Sequence, residues 1–214
     1  TPEERIESRS VLSTPDDDGR GTLDVIAAVL GQAGLVHATT LGTNAIREHE
    51  GARTGLVTTR GFRDVLEMGR FRAPRLYDLS FRKPEPLVER RLRFEVDERT
   101  DAQGKVLRPV EQAELDRVAE WLAEEDIKAV AICFINACEN PDNETMAARH
   151  LSERLQGISI STSTQLLPQI QEYERTSTTV INAYIRPVVD DYLGALEEGL
   201  GEMGVEAPLM IMQS

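Results

Sequence analysis

Between His37 and Arg70 the sequence runs HATTLGTNAIREHEGARTGLVTTRGFRDVLEMGR, with hydrogen-bonding residues gathered where the chain should change direction. Leu35, Val36 and His37 close a short apolar segment. Thr39 and Thr40 then stand at the start of a helix, where a threonine hydroxyl can satisfy an orphan backbone N–H. The β-rich run over 54–58 is followed by Thr59, Arg60 and Gly61, which turn the chain into a second helix. Two strand-to-helix turns rich in hydroxyls and N–H groups carry the chemistry of a small anion- or carbonyl-binding crevice. Each piece also has a plainer reading. A threonine at a helix start is most often only a cap, and a histidine ending an apolar run is most often a satisfied core residue.

The elements that must position these residues alternate between strand and helix. Gly51 is expected to end the first helix as a C-cap glycine. Upstream, 6–12 alternates as a strand, 13–18 is a turn, and 21–30 has helical periodicity through Leu23, Ile26, Ala27 and Leu30. Downstream, 72–79 is irregular and interrupted by proline. The RLRFEV run over 91–96 alternates with period two and is expected to pair with 105–110 as a hairpin. An amphipathic helix follows over 111–125, with Leu115, Val118, Trp121 and Leu122 on one face. KAVAICFI over 128–135 is continuously apolar, the mark of a strand buried on both faces. A helix over 144–155 and a strand over 158–161 continue the alternation, which implies a parallel α/β layer.

From 172 to 192 the spacing is helical again. Ile181, Ile185, Val188, Tyr192, Ala195 and Leu196 form an apolar stripe, and Arg175, Thr179, Asn182 and Arg186 a separate polar one. A polar stripe is usually the wet side of a helix, but these residue types suit a ligand or a domain contact. Pro187 should kink or divide this helix. The apolar segment 209–212 reads as a strand.

Composition narrows the function classes. A chain of 214 residues can bury a sizeable core, and its net charge of −13 argues against nucleic acid and anionic membranes as partners. The stretch 60–83 runs against that balance, with seven basic residues and three acidic. No apolar run approaches a membrane span, and the charged opening TPEERIESRS leads to the expectation of no signal peptide. Cys133 and Cys138 make neither a disulfide framework nor a metal cluster, so a reduced, cytoplasmic setting is the simplest expectation. The chain opens without Met and stops just after an apolar strand, which makes an excised piece of a longer protein the expectation.

Three blocks resemble the N-terminal region of the hydantoinase A / 5-oxoprolinase (N-methylhydantoinase A) family. Its pattern HGTT-x-x-TNA is met at His37, Thr39, Thr40, Thr43, Asn44 and Ala45, and GA-x-TGLVTT-x-GF-x-D-x-LE-x-GR from Gly51 to Arg70. LRFEV-x-ER-x-DA-x-G follows at 92–104, and LP-x-I-x-EYER-x-STTV-x-NAY at 167–184. Ala38 stands where the family has Gly. Asn136 and Asn143 stand where it has histidines, in a segment patterned LHSY-x-NP-x-HE. Asn cannot act as an acid or base near neutral pH, so these positions are expected to anchor the loop here. The family's D-x-G-G-T phosphate loop has no counterpart in this chain.

The resemblance implies an α/β fold of the actin-like ATPase (ribonuclease H-like) kind, as one domain over 1–214 with a loop and projecting β-hairpin inserted at about 71–110. It also implies an enzyme that uses ATP, with Mg or Mn, to phosphorylate a carbonyl oxygen and open a cyclic amide: hydantoin, N-methylhydantoin or 5-oxoproline. Phosphorylation converts a poor electrophile's oxygen into a leaving group. A second, hydantoinase B-type subunit or domain is the implied partner. The β-type subunit of an acetone or acetophenone carboxylase, and a non-catalytic scaffold, are the alternatives.

For the site, His37 is expected to orient or protonate a substrate oxygen. Thr39 and Thr40 would donate hydrogen bonds and Arg70 would hold negative charge, with Asn44, Arg175 and Asn182 as substrate-binding contributors. No metal ligand is expected in this chain. With the phosphate and adenosine motifs placed outside 1–214, the isolated chain is expected to bind no ATP tightly. Calorimetric titration with Mg·ATP at physiological ionic strength tests this, and micromolar binding would contradict it.

Overall fold

The computed structural model describes residues 22, 23, 26, 35–70, 80–205 and 209–212. The chain divides into a larger unit, residues 45–187, and a smaller one that combines Thr1–Asn44 with Val188–Ser214. The expected strand at 6–12, the turn at 13–18 and the irregular loop at 72–79 lie outside the described residues. Of the helix expected at 21–30, Thr22, Leu23 and Ile26 are described and helical.

The larger unit is built on a parallel sheet whose apolar strands have no wet face. β2 (Thr54–Thr59) and β6 (Ala129–Cys133) are buried along their whole length, β6 as its continuous apolar run requires and β2 with three buried threonines. With β3 (Arg93–Val96) and β7 (Ser159–Thr162) they form the order β3-β2-β6-β7, all neighbours parallel. The register places Leu56 beside Arg93 and Ala131, and Ala131 beside Ser161. Helices α3 (Gln112–Glu124) and α4 (Asp142–Arg154) carry Leu115, Val118, Leu122, Ala147 and Leu151 into the core. A fully buried Leu or Val contributes about 1.5–3 kcal/mol, so this layer dominates the unit's stability. Gly55 lets α3 close on β2, since a Cβ there would lie 2.8 Å from Leu122. At the other edge the Phe94 and Trp121 rings pack 5.3 Å apart.

Two local expectations change. Residues 93–96 join the central sheet beside β2 and do not form a hairpin arm. The hairpin itself is shorter, with β4 (Arg99–Thr100) antiparallel to β5 (Val106–Arg108). Alternation alone could not distinguish these partners, because Arg93 is itself buried. Its guanidinium donates to the Val88 carbonyl oxygen at 2.8–3.0 Å and to Glu67 at 2.8 Å. Gly51 is not the C-cap of α1 (Leu41–Glu48); His49, with φ 58°, takes the left-handed position. Gly51 is instead a packing glycine. An added Cβ would meet the Tyr184 ring at 2.0 Å, and the adjacent Ala52 N–H donates to the Tyr184 carbonyl oxygen.

Helix α6 (Glu172–Glu202) runs through Pro187 without being divided, and the boundary between the units falls at this proline. In the smaller unit β1 (Leu35–Ala38) pairs in parallel with β8 (Leu209–Met212), Leu35 opposite Leu209. Leu23 packs onto Gly199, where a Cβ would stand 2.4 Å away.

Replacing Gly51 by Ala therefore drives a methyl into the Tyr184 ring. The expected loss is about 1–3 kcal/mol, as for other overpacked sites. It should appear as a lower urea midpoint with an unchanged m-value. An unmoved midpoint would show that Tyr184 yields freely.

Candidate functional site

Of the seven residues expected at a site, His37, Thr39, Thr40 and Asn44 fall in the smaller unit and Arg70, Arg175 and Asn182 in the larger. His37 sits on β1 opposite Ile211. Thr39 Oγ1 accepts from the Leu41 N–H at 3.2 Å, and the Thr40 carbonyl oxygen accepts from the Asn44 N–H at 2.9 Å. The start of α1 is thus capped as threonines permit.

In the larger unit the three residues serve different neighbours. Arg70 is paired with Glu174 in the first turn of α6. The Glu174 carboxyl is held below its ordinary value, first by a hydrogen bond from its own backbone N–H and then by Arg70. Arg175 is fully buried and donates to Ser163 Oγ at 3.1 Å, and Asn182 donates to Ser161 Oγ at 2.9 Å. Arg186 reaches the Ile160 carbonyl oxygen at 3.4 Å. Arg186 is exposed, but the rest of this polar stripe is buried or half-buried. It docks the helix on edge strand β7 and on α5 (Ser163–Leu166), which follows it. Arg175 Nε and Nη2 find no hydrogen-bond partner among the described residues.

Below this stripe, buried polar groups tie together the C-terminal ends of the parallel strands. Glu144 accepts from the Phe134 N–H at 3.0 Å, Ser163 Oγ at 2.6 Å and the Thr164 N–H at 2.9 Å. Glu98 accepts from Thr59 Oγ1 and, at 2.7 Å, from Asn143 Nδ2. Asn143 Oδ1 accepts from the Val110 N–H at 3.2 Å, and Asn136, at φ 53°, donates to the Thr100 carbonyl oxygen at 2.9 Å. Both asparagines thus anchor the hairpin and the loop after β6. Burial pushes the Glu98 carboxyl above its ordinary value, against the hydrogen bonds from Thr59 and Asn143, and burial likewise pushes the Cys133 thiol up. Glu98 and Glu144 escaped the sequence reading. Glu98 lies inside the matched block at 92–104, and Glu144 stands at the Glu of the LHSY-x-NP-x-HE segment, which was the available signal.

The larger unit holds a cleft of about 590 Å³. The end of α1 contributes Arg47 and His49, and α2 (Val65–Met68) contributes Leu66 and Glu67. The 81–87 segment adds Phe81, Lys83, Pro84 and Leu87, and α6 adds Tyr173, Ser177, Val180 and Ile181. The volume falls in the range of small-molecule sites, about 300–1,000 Å³. Arg70 alone of the expected residues lines it. Tyr173 and Ser177 were missed, although Tyr173 belongs to the matched EYER block. Three described arginines of the basic stretch are paired with acids: Arg60 with Asp97 and Glu114, Arg63 with Glu95, Arg70 with Glu174.

The described residues hold no preformed metal cluster. No group of three or more His, Cys, Asp or Glu side chains converges among them, and the buried carboxylates Glu98 and Glu144 are occupied by protein donors. No described helix is long and apolar enough to cross a membrane.

An α/β chain with this parallel sheet and hairpin is of the actin-like ATPase-related class expected from the sequence. Residues 1–155 match the hydantoinase/oxoprolinase N-terminal region, and residues 175–214 match hydantoinase/oxoprolinase. The chain belongs to the hydantoinase/oxoprolinase family. It is 44% identical over 183 residues to an uncharacterized protein of Methanocaldococcus jannaschii, covering 84% of this chain and 27% of that one. It is 32% identical over 181 residues to the caprolactamase subunit alpha of Pseudomonas jessenii, covering 84% of this chain and 26% of that one. The crystal structure of that organism's ATP-dependent caprolactamase superposes with a TM-score of 0.82 at 31% identity, over 93% of this chain and 31% of the solved one. A nucleotide-free acetone carboxylase structure superposes at 0.81 and 24% identity, over 94% and 32%, and shares the fold. The chain spans about a quarter of the length of these two relatives.

Glu98 gives the network a pH signature. Because its folded value is raised, its contribution to stability is fully present below the unfolded carboxyl value and fades as pH rises through the folded one. Urea unfolding of the wild type and Glu98→Gln across mildly acidic to neutral pH should show the wild type's relative stability falling as pH rises. A pH-independent difference would mean that the carboxyl titrates normally.

Proposed function

We propose that this chain is part of an ATP-dependent amidohydrolase subunit that opens a cyclic amide by phosphorylation of its carbonyl oxygen. The observation that carries the reading is the similarity to ATP-dependent caprolactamase, in sequence at 32% identity and in fold at a TM-score of 0.82. An amide carbonyl is a poor electrophile, and phosphorylating its oxygen makes that oxygen a leaving group. The described cleft has a substrate-side role. The cleft walled by α2, the 81–87 segment and α6 receives the amide. ATP, with Mg or Mn, is then held by residues outside those described. In the smaller unit His37, Thr39, Thr40 and Asn44 remain proposed catalytic and substrate-binding residues, and in the larger unit Arg175 and Asn182 act through the seating of α6 on β7. A second subunit of the hydantoinase B type is the proposed partner, as the name "subunit alpha" of the relative suggests.

The test uses the complete protein with its partner subunit, supplied with Mg·ATP and a lactam. The expected result is ADP release that depends on the lactam and matches ring-opened amino acid mole for mole. ADP release that instead requires a ketone and bicarbonate would make the protein a carboxylase. No nucleotide turnover with either would leave the scaffold reading.

A further inference from the structure

The cleft joins an apolar wall to charged side chains that its own pairing leaves partly available. On α6 its lining follows one helical face, with Tyr173 and Ser177 one turn apart and Val180 and Ile181 beyond them. This face is distinct from the stripe of Arg175, Thr179, Asn182 and Arg186. Leu66 and Leu87 line the cleft as well. Such a wall accepts a run of methylenes, whether closed in a ring or extended.

Charges of both signs stand beside that wall. Arg47 and His49 line the cleft at the end of α1, and among the described residues neither is paired with an acid. Arg70 meets Glu174 through Nε alone, in a largely exposed pair. The Nη1–Nη2 edge of its guanidinium can therefore still grip both oxygens of one carboxylate. Lys83 Nζ donates to the Glu67 carbonyl oxygen at 2.8 Å, a neutral partner. Of the two acids in the lining, Glu67 is held by Arg93 at 2.8 Å, whereas Glu85 is exposed and, among the described residues, in no ion pair. Opening a lactam with one water breaks its C–N bond. The carbonyl carbon becomes a carboxylate and the ring nitrogen an ammonium. The closed amide can use only the wall and the two hydroxyls of α6, while the opened chain can also use Arg70, Arg47 and Glu85.

We infer that this cleft holds the ring-opened amino acid more tightly than the closed lactam, with the new carboxylate on Arg70 and Arg47 and the methylenes on the α6 wall. The reaction is then restrained by its own product at the substrate site. The inference rests on the cyclic-amide reading above and adds regulation to it. It holds for neutral and carboxylated lactams alike, because opening adds one carboxylate to either.

Two measurements on the complete protein with its partner subunit keep this inference separable from the reaction itself. The first is equilibrium dialysis without ATP against radiolabelled 6-aminohexanoate and caprolactam, with unlabelled hexanoate and hexylamine as competitors. At low salt the amino acid should bind about fivefold more tightly than the lactam, the scale of an exposed charge pair. Added salt should shrink that ratio by screening. Hexanoate should displace labelled 6-aminohexanoate and hexylamine should not. Arg47→Gln combined with Arg70→Gln, both at exposed side chains, should bring the ratio to about one. The second measurement is lactam-dependent ADP release, in which 6-aminohexanoate should raise the KM for caprolactam and not that for ATP. Tighter binding of the amino acid without ADP release would uphold the inference and sink the reaction. ADP release with caprolactam bound as tightly as the amino acid would uphold the reaction and sink the inference. If neither ligand binds, if hexylamine competes as well as hexanoate, or if the double variant keeps the fivefold ratio, the cleft is not a carboxylate site.

Discussion

The carboxylate of Glu144 holds together the edge of the sheet on which everything else in the larger unit is arranged. It is fully buried and accepts from the Phe134 N–H after β6, and from Ser163 Oγ and the Thr164 N–H after β7. Parallel strands end in backbone groups that no neighbouring strand can satisfy, and inside a protein each unpaired group is costly. One acidic residue at the start of α4 satisfies three donors from two strand ends. Ser163 also links Glu144 to the buried Arg175, so the seating of α6 follows from the same contact. Losing one member of such a buried charged set costs about 3–5 kcal/mol, because the others remain buried without partners.

Two networks at this edge divide the labour. Glu144, Ser163 and Arg175 fix α6 against β7, and with it the position of Tyr173 and Ser177 on another face of the helix. Glu98, Thr59 and Asn143 fix the β4–β5 hairpin and the loop after β6. The asparagines at 136 and 143 are hydrogen-bonded on backbone groups of the hairpin region, so their amides do structural work that a proton-transferring side chain is not needed for. A departure from the family pattern can thus be neutral for folding. Its effect on chemistry depends on whether relatives use those positions for more than anchoring.

The cleft depends on pairing as much as on shape. Sequence counting gave 60–83 an excess of positive charge and suggested anion binding. In the structure three of its arginines, Arg60, Arg63 and Arg70, are matched by acids distant in the chain, Asp97, Glu114, Glu95 and Glu174. Exposed pairs of this kind contribute little stability, roughly 0–1 kcal/mol each.

Periodicity and local chemistry sufficed for much of the architecture. The continuous apolar run at 128–135 could only be a strand covered on both faces, and the heptad-like spacing at 111–125 only a helix against it. The threonines at 39 and 40 read correctly as the start of α1, and the matched blocks placed the chain in its family. What failed was decided by partners far away in sequence. Residues 93–96 alternate like a hairpin arm, yet they pair with β2, because Arg93 finds its hydrogen bonds at Val88 and Glu67. Gly51 looks like a helix cap, yet it is there for the Tyr184 ring. The arginine and asparagine stripe of α6 looks wet or ligand-binding, yet it faces β7. A local pattern states which side chains share a face, and burial of polar groups against specific distant donors determines what that face meets.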